Sequence, residues 1–214
     1  MRHSRRLRWF VVFVLLYITL CVVAGIYLAD GTLHPARRTL TDEDGPAFKN
    51  TVRAMRAELQ DVSITTPDQV ILRGWLLRPA AGNGNAAIVL HGLGDNRLGM
   101  TGYTELLLAH GYTVLLPDAR AHGVSGGELA TYGLLERSDI HRWIDFLWAA
   151  AHPACVYGIG ESMGAAELLE SLQEETRFCA VVAESPFSTF REIAYDRMGQ
   201  PFHTGPWVGR ILLR

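Results

Sequence analysis

Gly158-Ile159-Gly160-Glu161-Ser162-Met163-Gly164-Ala165 is the stretch on which the reading of this chain turns. Cys155-Val156-Tyr157 before it reads as a short buried strand, and Ala165 to Leu172 after it reads as a helix. A serine between a strand and a helix must occupy a very tight turn with unusual backbone angles. Gly160 and Gly164 remove the Cβ atoms that would collide where strand and helix meet. Such a turn presents Ser162 Oγ at the carboxyl end of a sheet, beside the N–H of Met163 and a helix N-terminus. Negative charge that develops there is stabilised.

Working outward, the chain alternates strands and helices. Ala86–Leu90 is a continuous apolar run, as expected of a strand covered on both faces, and Tyr112–Leu116 and Phe178–Ala183 read as further buried strands. Helices are expected over Tyr103–His110 and Leu134–Ala151, and Phe48–Leu59 has helical spacing. Asp61–Thr66 and Val70–Arg78, joined at Pro67-Asp68, read as a hairpin. This order predicts a mostly parallel sheet with helices on both faces. His91, Asp118, Ser162 and Glu184 all fall at the carboxyl ends of predicted strands, where ligands bind in such sheets.

At the N-terminus Arg2, Arg5, Arg6 and Arg8 precede an uncharged run from Trp9 to Ala29. At ~1.5 Å per residue this run spans about 30 Å, the thickness of a hydrocarbon core. It is long for a cleavable signal peptide, so a signal anchor is expected, with the basic end in the cytoplasm and the rest of the chain outside. The expected organisation is a basic tail (1–8), a transmembrane anchor (9–29), a juxtamembrane linker and helix (30–60) and one α/β domain (61–214).

The 214 residues carry a net charge of −2, nearly all the basic residues are arginine with Lys49 the only lysine, and no basic stripe points to a nucleic-acid partner. Three cysteines without paired spacing or clustered histidines make no metal site. Cys155 and Cys179 read as buried small hydrophobes, with a disulfide between them as the alternative.

A serine hydroxyl needs a base to take its proton, and the oxyanion it generates needs donors. His91-Gly92-Leu93-Gly94 follows a buried strand and would bring the N–H of Leu93 opposite that of Met163. The His91 side chain is expected to hold this loop. Together with Asp118-x-Arg120-x-His122-Gly123-x-Ser125-Gly126, Gly160-Glu161-Ser162-Met163-Gly164 and Glu184-Ser185-Pro186-Phe187, this segment makes the chain resemble the α/β-hydrolases. The likeness is strongest to the bacterial membrane-anchored serine hydrolases of the serine aminopeptidase and monoacylglycerol-lipase-like group. It covers about Asp61 to Phe190 and implies a three-layer α/β sandwich.

It also implies a hydrolase acting on carboxylic esters or amides through an acyl-enzyme on Ser162, without a cofactor. The substrate would be a small or lipid-like ester or amide, and the location the inner membrane with the domain on the extracytoplasmic side. Asp118, Arg120 and His122 are carried over as structural, and Ala121 stands where the family usually has glycine. The family's triad runs Ser, then Asp or Glu, then His. Glu184 is the candidate acid and His203 the candidate base, each with a bland alternative as a strand-end charge or a turn residue. Because neither fits the family's later segments, the chain is expected to be cut short of the last strands. A catalytically silent binding or scaffold domain is the competing function.

Overall fold

Period-two alternation in the central strands sorts apolar side chains onto two faces, and each face recruits its own helices. The computed structural model describes residues 2–41 and 43–199 together with Trp207 and Arg210. Its strands are β1 (Ala57–Thr65), β2 (Ile71–Pro79), β3 (Ala86–Leu90), β4 (Thr113–Pro117), β5 (Val156–Glu161) and β6 (Phe178–Glu184). Ile88 and Leu90 pack with Leu76 and Leu115 on one face, under α4 (Glu136–Ala151) and α5 (Met163–Ser171). Val89 packs with Trp75, Val114 and Leu116 on the other, under α2 (Asp44–Ala54) and α3 (Thr101–Ala109). Each such side chain contributes ~1.5–3 kcal/mol when fully buried. The α4 stripe Ile140, Trp143, Ile144 and Leu147 has the spacing that keeps one helix face on the sheet.

The six strands lie in the order β1-β2-β4-β3-β5-β6. The hairpin β1–β2 is antiparallel and joins β4 antiparallel, while β4, β3, β5 and β6 are mutually parallel. This is the expected α/β sandwich with its N-terminal hairpin. The chain leaves β3 for β4 on one side and then returns to β5 on the other, so the carboxyl end of β3 is a topological switch point.

Several boundaries differ from expectation. The first helix, α1, runs Arg2–Leu33, a full turn past the uncharged run. Its span Arg5–Leu33 contains an exposed 18-residue stretch with a mean hydropathy of 2.7, long and apolar enough to cross a membrane, as a signal sequence also is. Helix α2 stops at Ala54, and Leu59 belongs to β1, because the chain must turn extended to pair with β2. Strand β6 is half-exposed rather than covered on both faces, since among the described residues only β5 pairs with it. The expected α3 is preceded by a single 3-10 turn at Arg97–Met100. A further helix, α6, spans Phe190–Gly199.

The two cysteines are not separate apolar plugs. Cys155 and Cys179 form a disulfide with their Cα atoms 5.7 Å apart. They lie at the amino ends of the adjacent strands β5 and β6, where the register shifts between Val156 and Tyr157 and lets Cys179 turn toward its partner. Sequence patterning had favoured the opposite reading because a strand-start cysteine looks apolar until its neighbour strand is known. Cys21, on α1, is exposed and free.

Candidate active site

Strand β5 delivers Ser162 to the switch point in a conformation that few non-glycine residues adopt, φ 52° and ψ −107°. The turn is held by the Ser162 amide donating to the Glu184 carbonyl (2.8 Å) and by the Ala166 amide donating back to the Ser162 carbonyl (3.1 Å). The flanking glycines are required by close approach. A Cβ on Gly160 would lie 2.4 Å from the Gly164 carbonyl oxygen, and one on Gly164 would lie 2.6 Å from the Leu90 carbonyl oxygen. That second contact draws the start of α5 against the end of β3.

The loop after β3 closes the other side. Asp95 donates its amide to Gly92 (3.3 Å) across a tight turn whose third residue, Gly94, has φ 71°. The Gly92 backbone packs on Ser162, 3.6 Å separating the Ser162 Cβ from where a Gly92 Cβ would stand. Leu93 follows directly, its side chain half-exposed. Among the described residues neither the Leu93 amide nor the Met163 amide donates to any acceptor, and Ser162 Oγ has no hydrogen-bond partner. A half-buried serine whose hydroxyl is unengaged, with two free amides on the adjoining backbone, can offer donors to a developing oxyanion.

The supporting loops are heavily tied. His91 is buried, donates from Nδ1 to the Gly92 carbonyl (2.8 Å) and accepts from the Ala119 amide at Nε2 (3.1 Å). Burial lowers its pKa, against the pull of the Gly92 carbonyl, so the ring is neutral and both nitrogens are occupied. It holds the loop, as expected. Asp118 accepts from the Arg97 amide and guanidinium and from the Val124 amide, each at 2.8 Å. Burial pushes its carboxyl up, but Arg97 and these amides outweigh that and hold it below the usual range. Arg120 makes a two-point contact with Asp139 (2.6 and 2.8 Å) and reaches Asp68 (3.0 Å). Ala121 takes φ 59°, which explains a preference for glycine at that position. His122 is buried with its Nδ1 on the Arg120 carbonyl (2.9 Å), and no hydrogen bond joins it to Ser162.

Glu184 is brought beside Ser162 through its backbone, but its carboxylate accepts from Tyr103 of α3 rather than from a histidine. His203 lies outside the described residues. Among the described residues no histidine hydrogen-bonds Ser162 or Glu184.

Sequence reasoning missed Arg97 and Glu167. Arg97 is buried under Asp118 and over the Trp75 ring, 4.9 Å from its centre; a buried strand-end aspartate was the signal that a cation must be near. Glu167, on α5, is buried with one carboxylate oxygen lacking a partner. Burial, then the nearby Glu136 and Asp139 carboxylates, raise its pKa well above the usual value. Its place on an otherwise apolar helix face gave no sequence signal.

With this geometry in view, the sequence profile described as "Alpha/beta hydrolase family" matches residues 87–213. The chain belongs to the alpha/beta hydrolase family. Among curated proteins, the chain is 32% identical over 129 residues to the uncharacterized protein YqkD of Bacillus subtilis, covering 58% of the chain and 41% of that relative. It is 31% identical over 143 residues to the polyketide transferase ATR5 of Stachybotrys chlorohalonatus, covering 61% and 46%. The chain thus spans less than half the length of these relatives. The solved esterase Pf2001 of Pyrococcus furiosus superimposes with a TM-score of 0.67 at 30% identity, over 84% of this chain and 68% of that one.

Proposed function

We propose that this hydrolase cleaves carboxylic ester or amide bonds through an acyl-enzyme on Ser162, with the Leu93 and Met163 amides receiving the oxyanion. The observation that carries the reading is Ser162 at φ 52°, packed on Gly92, with the Leu93 and Met163 amides of the adjoining backbone donating to nothing else. In the reaction Ser162 Oγ bonds the acyl carbon, and its proton passes through a base to the departing alcohol or amine. Water then takes the acyl group and restores the serine. The base comes from outside the described residues, where His203 is the candidate within this sequence. Glu184 is the candidate acid by position, and releasing its Tyr103 contact would free it for that role. The exposed edge of β6 and the greater length of the relatives favour further strands completing the triad. The esterase Pf2001 neighbour supports ester chemistry, and the loop motifs support the serine aminopeptidase and monoacylglycerol-lipase-like group.

The reading includes an uncleaved anchor at α1, arginines in the cytoplasm and the domain on the outer side of a bacterial inner membrane. The Cys155–Cys179 disulfide supports that side, because disulfides persist in oxidising compartments. One observation favours a silent binding domain instead: no described histidine meets Ser162. A fluorophosphonate probe decides between them. Labelling of the full chain that disappears in Ser162→Ala is expected; no labelling of the wild-type protein, alone or with any downstream sequence attached, sinks the enzymatic reading.

A further inference from the structure

The end of α1 is built into the rim of the candidate site. Ala130 donates its amide to the Leu33 carbonyl (2.9 Å) and the Tyr132 hydroxyl donates to the Thr32 carbonyl (2.6 Å). The linker that follows continues along the same rim. Arg37 donates to the Ser125 carbonyl (2.9 Å) and the Gly127 carbonyl, Arg38 pairs with Asp95 (2.9 Å), and Asn96 donates to the Arg38 carbonyl (2.9 Å). Every one of these partners lies on a loop at the carboxyl end of the parallel strands, the end that carries Ser162.

Depth follows from helix geometry. With Trp9–Ala29 filling the hydrocarbon core, Leu33 lies four residues on, about 6 Å along the axis. That is the thickness of the headgroup layer, ~5–7 Å per leaflet. Ala130 and Tyr132 are therefore at headgroup level. Among the described residues, exposed large apolar side chains at this end include Leu93, Val124, Leu129, Leu134, Leu135 and Phe190, with Leu134 67% exposed. A soluble surface gains nothing from such a collar, whereas a membrane-facing one does. Inside it lies a groove of about 750 Å³ walled by Leu33, Tyr132, Leu169, Phe187 and Phe190. It reaches Ala166, one turn of α5 from Ser162. This volume is within the ~300–1,000 Å³ usual for ligand sites.

We propose that the carboxyl end of the sheet lies against the bilayer holding α1. The substrate is then an ester or amide of a membrane-resident amphiphile, its acyl chain entering the groove beside Leu33 and its carbonyl reaching Ser162. The substrate half of this inference rests on the acyl-enzyme reading above; the docking half stands apart from it.

The test uses the full chain with Cys21→Ser, reconstituted into phosphatidylcholine–phosphatidylglycerol vesicles containing headgroup-nitroxide lipid. A fluorophore on Leu134→Cys is expected to be quenched strongly and one on Leu106→Cys, on the outer face of α3, weakly. Leu129→Cys gives a second rim reporter. Equal quenching at 106 and at both rim positions, or none at the rim, overturns the docking. In the same vesicles a dodecyl fluorophosphonate is expected to label Ser162 at least about tenfold faster than the ethyl probe, a difference of ~1.4 kcal/mol. Equal rates overturn the lipid substrate while leaving the nucleophile intact. Labelling by neither probe removes the acyl-enzyme reading and the substrate with it, and quenching still decides the docking.

Discussion

Replacing both Cys155 and Cys179 by serine isolates the contribution of the one covalent link in the sheet. Cys179 is exposed and Cys155 half-buried, so the serine side chains themselves cost little. What is lost is the constraint on the unfolded chain. The bridge spans a sequence separation of 24, and for a closed loop of that size the chain-entropy relation gives about 3.5 kcal/mol at 25 °C. The loop encloses β5, the Ser162 turn and all of α5, so the constraint falls on the segment that forms the candidate site. With a urea dependence of about 2 kcal/mol per molar for a domain of this size, the unfolding midpoint should fall by ~1.7 M. Tryptophan fluorescence in detergent micelles reads this directly, since Trp75 and Trp143 are buried in the two core faces. Reductant should bring the wild-type midpoint down to that of the variant and leave the variant unmoved. A thiol count on the denatured wild-type chain should find one reactive cysteine, Cys21. Three reactive thiols, or coincident midpoints with and without reductant, would refute the bridge and the support it lends to an oxidising compartment.

Two further outcomes follow from the site. Gly164→Ala puts a Cβ within 2.6 Å of the Leu90 carbonyl and must push the β3 loop away from α5. Labelling of Ser162 should slow by about 10²–10³-fold, as for loss of one oxyanion donor. Gly102→Ala, with open space around it, is the matched control, and an unchanged rate for Gly164→Ala argues against the two-amide arrangement. Glu167→Gln tests the buried carboxyl through pH. Its native pKa is raised, so between the unfolded value near 4.5 and the native value the folded state holds the extra proton. Wild-type stability should therefore fall with rising pH across that window by up to about 1.4 kcal/mol per unit from this group. The variant should match the wild type below pH ~4.5 and exceed it increasingly above. Parallel stability curves across pH would show that Glu167 is not held neutral.

The layered architecture was legible because it rests on local patterns. Ala86–Leu90 and Val114–Pro117 are apolar throughout, and strands of that kind have one home, the centre of a sheet with helices on both faces. The glycines around Ser162 were legible for the same reason, since the need for them arises within a few residues. What the sequence did not disclose is long-range. The disulfide depends on β6 lying beside β5 with a register shift, and no spacing rule contains that. Arg97 under Asp118 joins positions 21 residues apart through two loops. Glu167 occupies an i+5 position from Ser162 on a helix whose other buried residues are small or apolar, and its charge state is set by Glu136 and Asp139 from α4. The tether is the longest of all: Tyr132 meets Thr32 across 100 residues. Each of these is a polar contact whose partner is chosen by topology, whereas apolar side chains need only a side of the sheet.

That tether also bears on whether α1 is an anchor or a leader. A leader is a disposable handle, and nothing in a mature domain should lean on it. Here the last turn of α1 contributes Leu33 to the groove wall and two carbonyls to the loop that carries Tyr132. Tyr132 in turn packs on Phe190, ring centres 4.7 Å apart, so the helix end braces the aromatic side of the groove. Cleavage at Ala29 would leave Asp30–Leu33 as a one-turn stub, too short to persist as a helix. The Leu33 wall and its two acceptors would then be lost together. At the opposite end of the same strands sits the disulfide, beside the exposed edge of β6. The parallel strands therefore have two unlike ends. They run from a disulfide-locked base toward the rim that meets the end of α1, and Ser162 is carried at that rim.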